Sequence, residues 1–387
     1  MNTPTVAVVG AGIGGLTAAV ALRAKGIDVE IFEAAPGPRA TGTALGLASN
    51  ATKVLRALGI DLTTDAFCRT LGPFELRTAR GALIRALPGA AFTAELGHPF
   101  VSIHRNELIR TLRNAAADVP IHYGAEVVDV GTERSRARAA CTDGTHVRAS
   151  VLIGADGFGS AVRSMVTGEQ VPNEYGYVCW LATVRFTHPR MAPGYTGHYW
   201  GRGQRFGLID IGGGMAYWWG TKNMSAAEAR GWNGDKADIV TAFDGWAPEV
   251  VEAIERTPAD AIISVPGQDR PFLKRWGKGP ITLLGDAAHP MLTSRSQGAS
   301  SAVEDGYVLA EAITRVPDVV EALRAYEDRR RVRARMLVRS SRWLNRLEQA
   351  QNPVACAARN FGMRCVPMRS LTRQAIRPMR FDLGWTA

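Results

Sequence analysis

The sequence predicts an α/β protein, and three observations support this prediction. First, the apolar run at residues 6–9 leads into GAGIGG at residues 10–15 and then into a helical segment rich in Ala and Leu. Second, the apolar runs at residues 151–154 and 281–284 each end in a loop that carries an acid, and uninterrupted apolar runs are typical of strands buried on both faces of a parallel sheet. Third, residues 198–220 alternate between strand and turn patterns. We therefore expect a parallel sheet combined with an antiparallel one.

The glycine-rich turn predicts a dinucleotide-binding site. In a GxGxxG turn the glycines permit a tight bend, close approach of the backbone to a pyrophosphate, and close packing of the next helix. The apolar run at residues 28–32 ends in Glu33, 23 positions after Gly10, near the offset at which an acid accepts hydrogen bonds from a ribose. Such an acid favours FAD or NAD over NADP. The alternative is a βαβ unit without a ligand. The predicted dinucleotide contacts are Gly10, Gly12, Ile13, Gly14, Gly15 and Glu33.

Composition restricts the class of protein. With 387 residues, the chain is long enough for two hydrophobic cores. No apolar stretch approaches the roughly 20 residues of a transmembrane helix, and no basic segment precedes the first apolar run. We therefore expect a cytoplasmic protein without an integral membrane segment. The five cysteines are scattered and form no CxxC pair, which argues against a disulfide framework and a zinc site.

Positive charge is concentrated near the C-terminus. The net charge is +10, and fifteen arginines but only three acidic residues lie between Arg324 and Arg380. Basic regions bind nucleic acids or anionic surfaces in some proteins, but the aromatic residues of a single-strand reader are few here. We expect a solvated helical face with some internal ion pairs and no nucleic-acid partner. Docking on an acidic partner is the alternative.

Two further loops place carboxylates where ligands bind in α/β proteins. The sequence GADG at residues 154–157 follows a predicted strand, and Ser160 and Arg163 come next at helical spacing. The sequence GDAAHP at residues 285–290 follows another, and Gln297 then opens an amphipathic helix. The carboxyl ends of parallel strands meet at one edge of a sheet, where α/β proteins bind ligands, so we expect these carboxylates at that edge.

Together, the three motifs resemble the single-component FAD-dependent aromatic hydroxylases. This is the family of the 4-hydroxybenzoate and salicylate hydroxylases, and it has relatives that epoxidise alkenes. The resemblance extends from about Thr5 to Arg333. It implies FAD, with NADPH or NADH as co-substrate, and a flavin C4a-hydroperoxide that transfers one atom of O2 to a small aromatic or electron-rich molecule. It leaves open a monomer or a homodimer.

The resemblance also assigns residues and domains. Glu33 would bind the adenosine ribose and Asp286 the ribityl and pyrophosphate part. The other implied cofactor contacts are Arg39, Arg105, Asp156, Arg163, and the backbone N–H groups of Gly298 and Ala299. A discontinuous FAD-binding domain would comprise residues 1–72, 100–168 and 277–320, a substrate-binding β-sheet domain residues 73–99 and 169–276, and a basic helical region residues 321–387.

Three features leave the chemistry open. At residues 293–296 the chain has TSRS, where the family usually has proline first and glycine last; either the loop tolerates both changes or they alter oxygen activation. Tyr217 and His198 are candidate catalytic bases and Arg185 a candidate partner for a substrate carboxylate, although each has a simpler structural interpretation. The rivals are an epoxidase or non-oxygenating flavin oxidoreductase of the same fold, and an FAD-binding regulator.

Overall fold

The computed structural model describes residues 5–38, 43–64 and 68–384, so the predicted FAD contact Arg39 lies outside the described residues. The strands within these ranges are β1 Thr5–Val9, β2 Asp28–Glu33, β3 Ala44–Leu47, β4 Cys68–Thr70, β5 Phe74–Thr78, β6 Leu83–Leu87, β7 Val101–His104, β8 Ile121–Tyr123, β9 Val127–Glu133, β10 Arg136–Cys141, β11 His146–Ala149, β12 Val151–Gly154, β13 Asn173–Arg185, β14 Thr196–Trp200, β15 Gln204–Asp210, β16 Met215–Asn223, β17 Ile263–Asp269 and β18 Ile281–Leu283. The α-helices are α1 Ile13–Arg23, α2 Ser49–Ala57, α3 Gly89–Leu96, α4 Arg105–Ala115, α5 Ala161–Thr167, α6 Ala226–Arg230, α7 Lys236–Ala242, α8 Pro248–Arg256, α9 Gly298–Arg315, α10 Val319–Glu348, α11 Pro353–Cys365 and α12 Met368–Ile376.

The predicted parallel sheet is present. Its five strands run in the order β18-β12-β1-β2-β8, and every neighbouring pair is parallel. Helix α9 packs against α1, and a Cβ added at Gly306 would lie only 2.7 Å from the backbone nitrogen of Ala18. Glycine at this position therefore lets the two helices approach closely. The apolar faces of these strands and helices form the largest hydrophobic core.

A seven-stranded mixed sheet forms the second layer of structure, in the order β17-β13-β16-β15-β14-β5-β6. The predicted antiparallel meander is confirmed as β14, β15 and β16. Successive side chains on a strand point to opposite faces, and both faces of this sheet are apolar. Trp218 packs on one face with Phe206 and Phe243, whereas its neighbour Trp219 packs on the other with Ile209. The aromatic run is therefore partly core and partly the wall of a second surface.

The basic C-terminal region is helical, as α10, α11 and α12. Several arginines of α10 turn inward: Arg330 pairs with Glu304 and Asp305, and Arg342 pairs with Asp269. Part of the positive charge is thus neutralised inside the fold. No helix in the described ranges is both long enough and apolar enough to cross a membrane.

Candidate functional site

The three sequence motifs meet at one edge of the parallel sheet. Backbone hydrogen bonds extend the sheet into the loops: the Ala155 N–H donates to the Val9 carbonyl at 2.8 Å, and the Leu284 N–H donates to the Gly154 carbonyl at 2.9 Å. A cavity of about 320 Å³ opens at this edge and reaches across to the mixed sheet. Its wall comprises Gly12, Ile13, Gly14, Thr43, Ala44, Leu45, Gly46, Arg105, Ala155, Gly157, Leu181, Ile209, Tyr217, Trp219, Leu284, Gly285, Asp286, Met291, Leu292, Thr293, Ser296, Gly298, Ala299 and Ala302.

The glycine-rich turn fits a pyrophosphate. A Cβ added at Gly15 would lie 2.0 Å from the carbonyl oxygen of Gly10, so only glycine allows α1 to begin this close to β1. A Cβ at Gly12 would meet nothing within 4 Å, because this glycine faces the open cavity. No side chain caps the first turn of α1. Its free N–H groups and the helix dipole therefore favour an anionic group here.

Glu33 is held beside this turn. Its two carboxylate oxygens accept hydrogen bonds from the backbone N–H groups of Ala11, at 2.7 Å, and Ala35, at 2.9 Å. The carboxylate lies at the end of β2, outside the cavity wall. Each oxygen keeps lone pairs for the hydroxyls of a ribose, so the arrangement fits the adenosine part of FAD.

Asp286 faces the cavity from the loop after β18. Its side chain is exposed to the cavity, and partial desolvation by the surrounding walls raises its pKa, against the opposing charges of His289 and Arg105. A Cβ added at Gly298 would lie 3.9 Å from the Asp286 Oδ1. Gly298 and Ala299 begin α9, whose N-terminus has no side-chain cap, so its N–H groups are available to a ligand. These groups fit the polar parts of a flavin nucleotide.

Asp156 and Arg163 support the site from behind. The Asp156 carboxylate accepts hydrogen bonds from the Ser160 hydroxyl at 2.5 Å and the Val162 N–H at 3.1 Å. The Arg163 side chain is 1% exposed and donates to the carbonyl oxygens of Ala287 and Ala288. Neither side chain belongs to the cavity wall. The structure therefore places Arg163 as an anchor for the loop that carries Asp286.

Asp305, which the sequence analysis did not single out, holds the same loop from α9. Its Oδ2 accepts hydrogen bonds from the Gly285 N–H at 2.9 Å and from the His289 Nε2 at 2.7 Å. Its Oδ1 accepts from the Arg330 Nε at 2.5 Å, and the residue is fully buried. The one available signal was an adjacent pair of acids, residues 304–305, on the predicted amphipathic helix.

The candidate residues on the mixed sheet have different surroundings. Tyr217 lines the cavity, and burial raises the pKa of its hydroxyl. His198 lies behind that wall, with its ring centroid 4.2 Å from that of Phe74 and 4.9 Å from that of Trp219. Arg185 is exposed at the end of β13 and does not line the cavity. Of these three, the structure brings only Tyr217 to the site.

The partly buried position of His198 has a measurable consequence. Burial, reinforced by the charge of Arg205, lowers the pKa of His198 to about 3, whereas an unfolded histidine has a pKa of about 6.5. Between these values the unfolded chain binds the extra proton, so stability falls as the pH falls. The wild type should therefore be less stable at about pH 5 than at about pH 7. We expect His198→Gln to reduce this loss of stability by about 1–2 kcal/mol, measured by urea unfolding at both pH values. The exposed His146→Gln control should leave that difference unchanged, and an equal effect of both would contradict the assignment.

The loop at residues 293–296 borders the cavity and has a strained end. Residues Thr293–Arg295 form a 3₁₀ turn, and Ser296 follows with φ of 51° and ψ of 34°, the left-handed conformation that favours glycine. The Thr293 hydroxyl accepts a hydrogen bond from the Arg205 guanidinium at 3.4 Å. Arg205 is also ion-paired with Glu348 at the end of α10. The loop is thus tied to both the mixed sheet and the C-terminal region.

The left-handed backbone at Ser296 predicts that glycine is the more stable residue there. We expect Ser296→Gly to raise the free energy of unfolding by about 0.5–1 kcal/mol. Glycine removes the strain of the left-handed conformation in the folded state, and this gain exceeds the loss caused by the greater flexibility of the unfolded chain. Denaturant unfolding tests this. Ser294→Gly, in the same turn but without positive φ, should instead destabilise; stabilisation by both or by neither would contradict the interpretation.

Comparisons with known proteins agree with this geometry. The family described as "FAD binding domain" matches residues 3–341. An aurachin C monooxygenase/isomerase from Stigmatella aurantiaca is 34% identical over 378 residues, which cover 97% of this chain and 98% of that protein. A chloroplastic zeaxanthin epoxidase from Oryza sativa is 31% identical over 86% of this chain, which spans about half (54%) of that protein. The crystal structure of Klebsiella pneumoniae HpxO with FAD and uric acid superposes with a TM-score of 0.90 at 27% sequence identity. The superposition covers 97% of this chain and 96% of HpxO. The chain therefore belongs to the FAD-dependent monooxygenase family that includes the aromatic hydroxylases.

Proposed function

We propose that this chain uses NADPH or NADH and O2 to insert one oxygen atom into an aromatic or similarly electron-rich small molecule, with FAD as its bound cofactor. The observation that carries this proposal is the continuity of the cavity. One wall comprises the glycine-rich turn, Asp286 and the start of α9; the opposite wall is the apolar face of the mixed sheet. A cofactor on the first wall and a substrate on the second would therefore share one continuous cavity.

Each part of the chain has a distinct task in this proposal. The glycine-rich turn and the N-terminus of α1 hold the pyrophosphate, while Glu33 accepts hydrogen bonds from the ribose. Asp286, with the N–H groups of Gly298 and Ala299, orients the remainder of the nucleotide. Bound FAD supplies the electron transfer from the nicotinamide and the activation of O2. Arg163 and Asp305 keep Asp286 in place through the backbone of its loop.

The mixed sheet would orient the substrate and exclude water from it. Leu181, Ile209 and Trp219 cover the cavity with apolar surface, and exclusion of water strengthens the polar interactions that remain. Tyr217 keeps its proton near neutral pH, because a tyrosine ordinarily has a pKa of about 10 and burial raises that of Tyr217 further. Its hydroxyl can therefore donate a hydrogen bond to an oxygen of the substrate. We propose that residues 73–99 and 169–276 are the substrate-binding domain, and residues 1–72, 100–168 and 277–320 the FAD-binding domain.

Epoxidation is the second candidate within the same fold. The similarity to zeaxanthin epoxidases favours it, although the matched region is about half of those proteins. An FAD-binding regulator that docks through α10 is less well supported, because Arg330, Arg333 and Arg342 are engaged in internal ion pairs.

The proposal is tested by incubating the purified protein in air with NADPH or NADH and a panel of phenols, indoles and fused aromatic compounds. We expect at least one compound to accelerate nicotinamide oxidation and to yield a product heavier by one oxygen atom, detected by mass spectrometry. Product with the label from ¹⁸O2 would separate oxygen insertion from peroxide release. Oxidation that produces only peroxide with every compound would contradict the proposed oxygen insertion, and a strained three-membered ring in the product would favour epoxidation.

A further inference from the structure

We propose that the outward side of α10 docks on a membrane surface that contains anionic lipids. This inference goes beyond the proposed function, because that side of the helix lies outside the wall of the cavity. We call the side chains that form it the α10 stripe, which comprises Val332, Arg335, Arg339, Trp343 and Arg346.

The spacing of the α10 stripe places its members on one side of the helix. Successive members are three or four positions apart, so they follow a line of roughly 21 Å along one continuous helix. The other side of the helix, with Ala334, Leu337 and Val338, is buried in the fold. The stripe therefore points away from the protein, and all five of its side chains are exposed.

Large apolar groups on the stripe are accessible to solvent. Val332 is 75% exposed and Trp343 is 57% exposed. Among the described residues, Trp343 and Phe361 are the two exposed side chains of the Trp, Tyr and Phe classes, and both lie in the C-terminal helices. Arginines interleaved with such groups are typical of helices that lie in a membrane interface, where guanidinium groups contact lipid head groups and apolar groups leave water.

Acidic residues that could balance the stripe are scarce on its own part of the chain. Residues 329–381 contain a single acid, Glu348, and this acid is buried against Arg205. The acid that precedes the stripe on α10, Asp328, is ion-paired with Arg331. The sequence around the stripe therefore supplies positive charge without a matching negative charge.

The three arginines of the stripe keep their charge available. In the described part of the chain, the salt bridges of α10 involve other arginines, among them Arg330, Arg331 and Arg342. Arg335 lies over the ring of Phe272, 5.1 Å from its centroid, and this contact leaves it charged. Arginines four positions apart on a helix repel one another, so an anionic surface would relieve a repulsion as well as form new contacts.

The charge of the whole chain would orient the protein in the same way. Fifteen arginines and three acids between residues 324 and 380 give this region a net charge of +12, so the rest of a chain of net charge +10 is slightly negative. Helices α11 and α12 add the exposed side chains of Arg364, Arg369 and Arg373. Arg359 of α11 donates hydrogen bonds to carbonyl oxygens at the end of α10, and Arg333 of α10 donates to carbonyl oxygens after α12. An anionic surface would therefore attract the C-terminal helices and repel the remainder.

The apolar members of the stripe favour a membrane over a nucleic acid. A polynucleotide would neutralise the arginines but leave Val332 in water, whereas a bilayer interface accepts both kinds of group. Proteins that bind single strands combine a basic groove with several aromatic side chains on which the bases stack. The stripe is the convex side of a helix and carries one aromatic residue, Trp343.

Sedimentation of the purified protein with lipid vesicles tests the proposal, and it needs neither a substrate nor turnover. The probes are vesicles of phosphatidylcholine alone and of phosphatidylcholine with about 30% phosphatidylglycerol. We expect binding to the anionic vesicles to be at least about 10-fold tighter than to the neutral ones. It should weaken as NaCl is raised from about 0.1 to about 0.5 M, because salt screens the charges. No binding to the anionic vesicles, or equal binding to both kinds, would overturn the proposal.

Two triple variants locate the binding on α10. We expect Arg335→Gln, Arg339→Gln and Arg346→Gln together to weaken binding to the anionic vesicles by at least about 10-fold. The control removes the same charge from exposed arginines around the strands β9–β11, as Arg134→Gln, Arg136→Gln and Arg148→Gln. It should weaken binding by less than about 3-fold, because these arginines do not contact the surface. Equal weakening by both triple variants would overturn the assignment to α10.

The apolar members separate a membrane from other anionic partners. We expect Val332→Ser combined with Trp343→Ser to weaken vesicle binding by about 5- to 20-fold. Val171→Ser, at a position 84% exposed in the loop before β13, is the control and should leave binding unchanged. No weakening by the double variant would overturn the membrane assignment. Binding of single-stranded oligo(dT) without binding of the anionic vesicles would overturn it as well, in favour of a nucleic acid.

Discussion

Asp305→Asn is expected to lower the free energy of unfolding by about 3 kcal/mol. The Asp305 carboxylate is fully buried and compensates the Arg330 guanidinium while it accepts hydrogen bonds from Gly285 and His289. An asparagine preserves the shape but removes the charge and one acceptor. Because Gly285 directly precedes Asp286, we also expect the variant to bind FAD more weakly. Denaturant unfolding of the protein and titration of the FAD-free protein with FAD measure the two effects.

The pH dependence of the same variant provides an independent test. Although burial opposes it, the charges of His289 and Arg330 lower the pKa of Asp305 to about 2. An unfolded aspartate has a pKa of about 3.9, so this stabilisation is complete above that value and is lost as the pH falls toward 2. We expect the Asp305→Asn variant to lose less stability than the wild type between those values. Asp244→Asn, an exposed control, should lose as much stability as the wild type over this pH range. An equal loss in Asp305→Asn would contradict the proposed stabilisation of the Asp305 carboxylate by His289 and Arg330.

The second large effect is expected from Glu348→Leu. Glu348 is buried with Arg205, and removal of one partner of a buried ion pair typically costs about 3–5 kcal/mol because the other charge stays uncompensated. Arg295 also interacts with the charge of Glu348, so the substitution removes the counter-charge of a second arginine. We therefore expect a loss of that size in the free energy of unfolding, measured with denaturant.

Two further variants make this prediction specific. The double variant Arg205→Met with Glu348→Leu removes both charges, and we expect it to be more stable than Glu348→Leu alone, since apolar pairs often replace buried ion pairs without loss. Glu321→Gln, an exposed residue of the same helix, should change stability by less than about 0.5 kcal/mol. A double variant less stable than the single one would contradict the view that an uncompensated charge is the cause.

The cofactor side of the site could be predicted from sequence because its determinants are local. Residues 6–9, 151–154 and 281–283 are apolar strands whose following loops carry Gly10, Asp156 and Asp286. Parallel pairing then brings those loops together by a general rule of α/β folds. The 23-residue offset from Gly10 likewise predicts that Glu33 lies beside the glycine-rich turn, and its carboxylate accepts a hydrogen bond from the Ala11 N–H of that turn.

The remaining features depend on contacts between distant parts of the chain. The resemblance implies a cofactor contact for Arg163, and the structure adds hydrogen bonds to Ala287 and Ala288, more than 120 positions away, which no local pattern predicts. Asp305 and the Arg205–Glu348 pair join helices and strands whose relative placement no local pattern encodes. The aromatic meander has two apolar faces, and its sequence alone does not say which of them lines the cavity. That choice depends on which helices cover the other face.

The most direct test of the proposed function is anaerobic titration of the purified protein with NADPH and NADH, followed by its visible absorbance. We expect a yellow protein with the absorbance bands of bound FAD, which at least one of the two nicotinamides bleaches. A yellow protein that neither nicotinamide bleaches, even in the presence of the phenols, indoles and fused aromatic compounds of the panel, would contradict the proposed monooxygenase activity. A colourless protein that takes up no added FAD would contradict the interpretation of the glycine-rich turn itself.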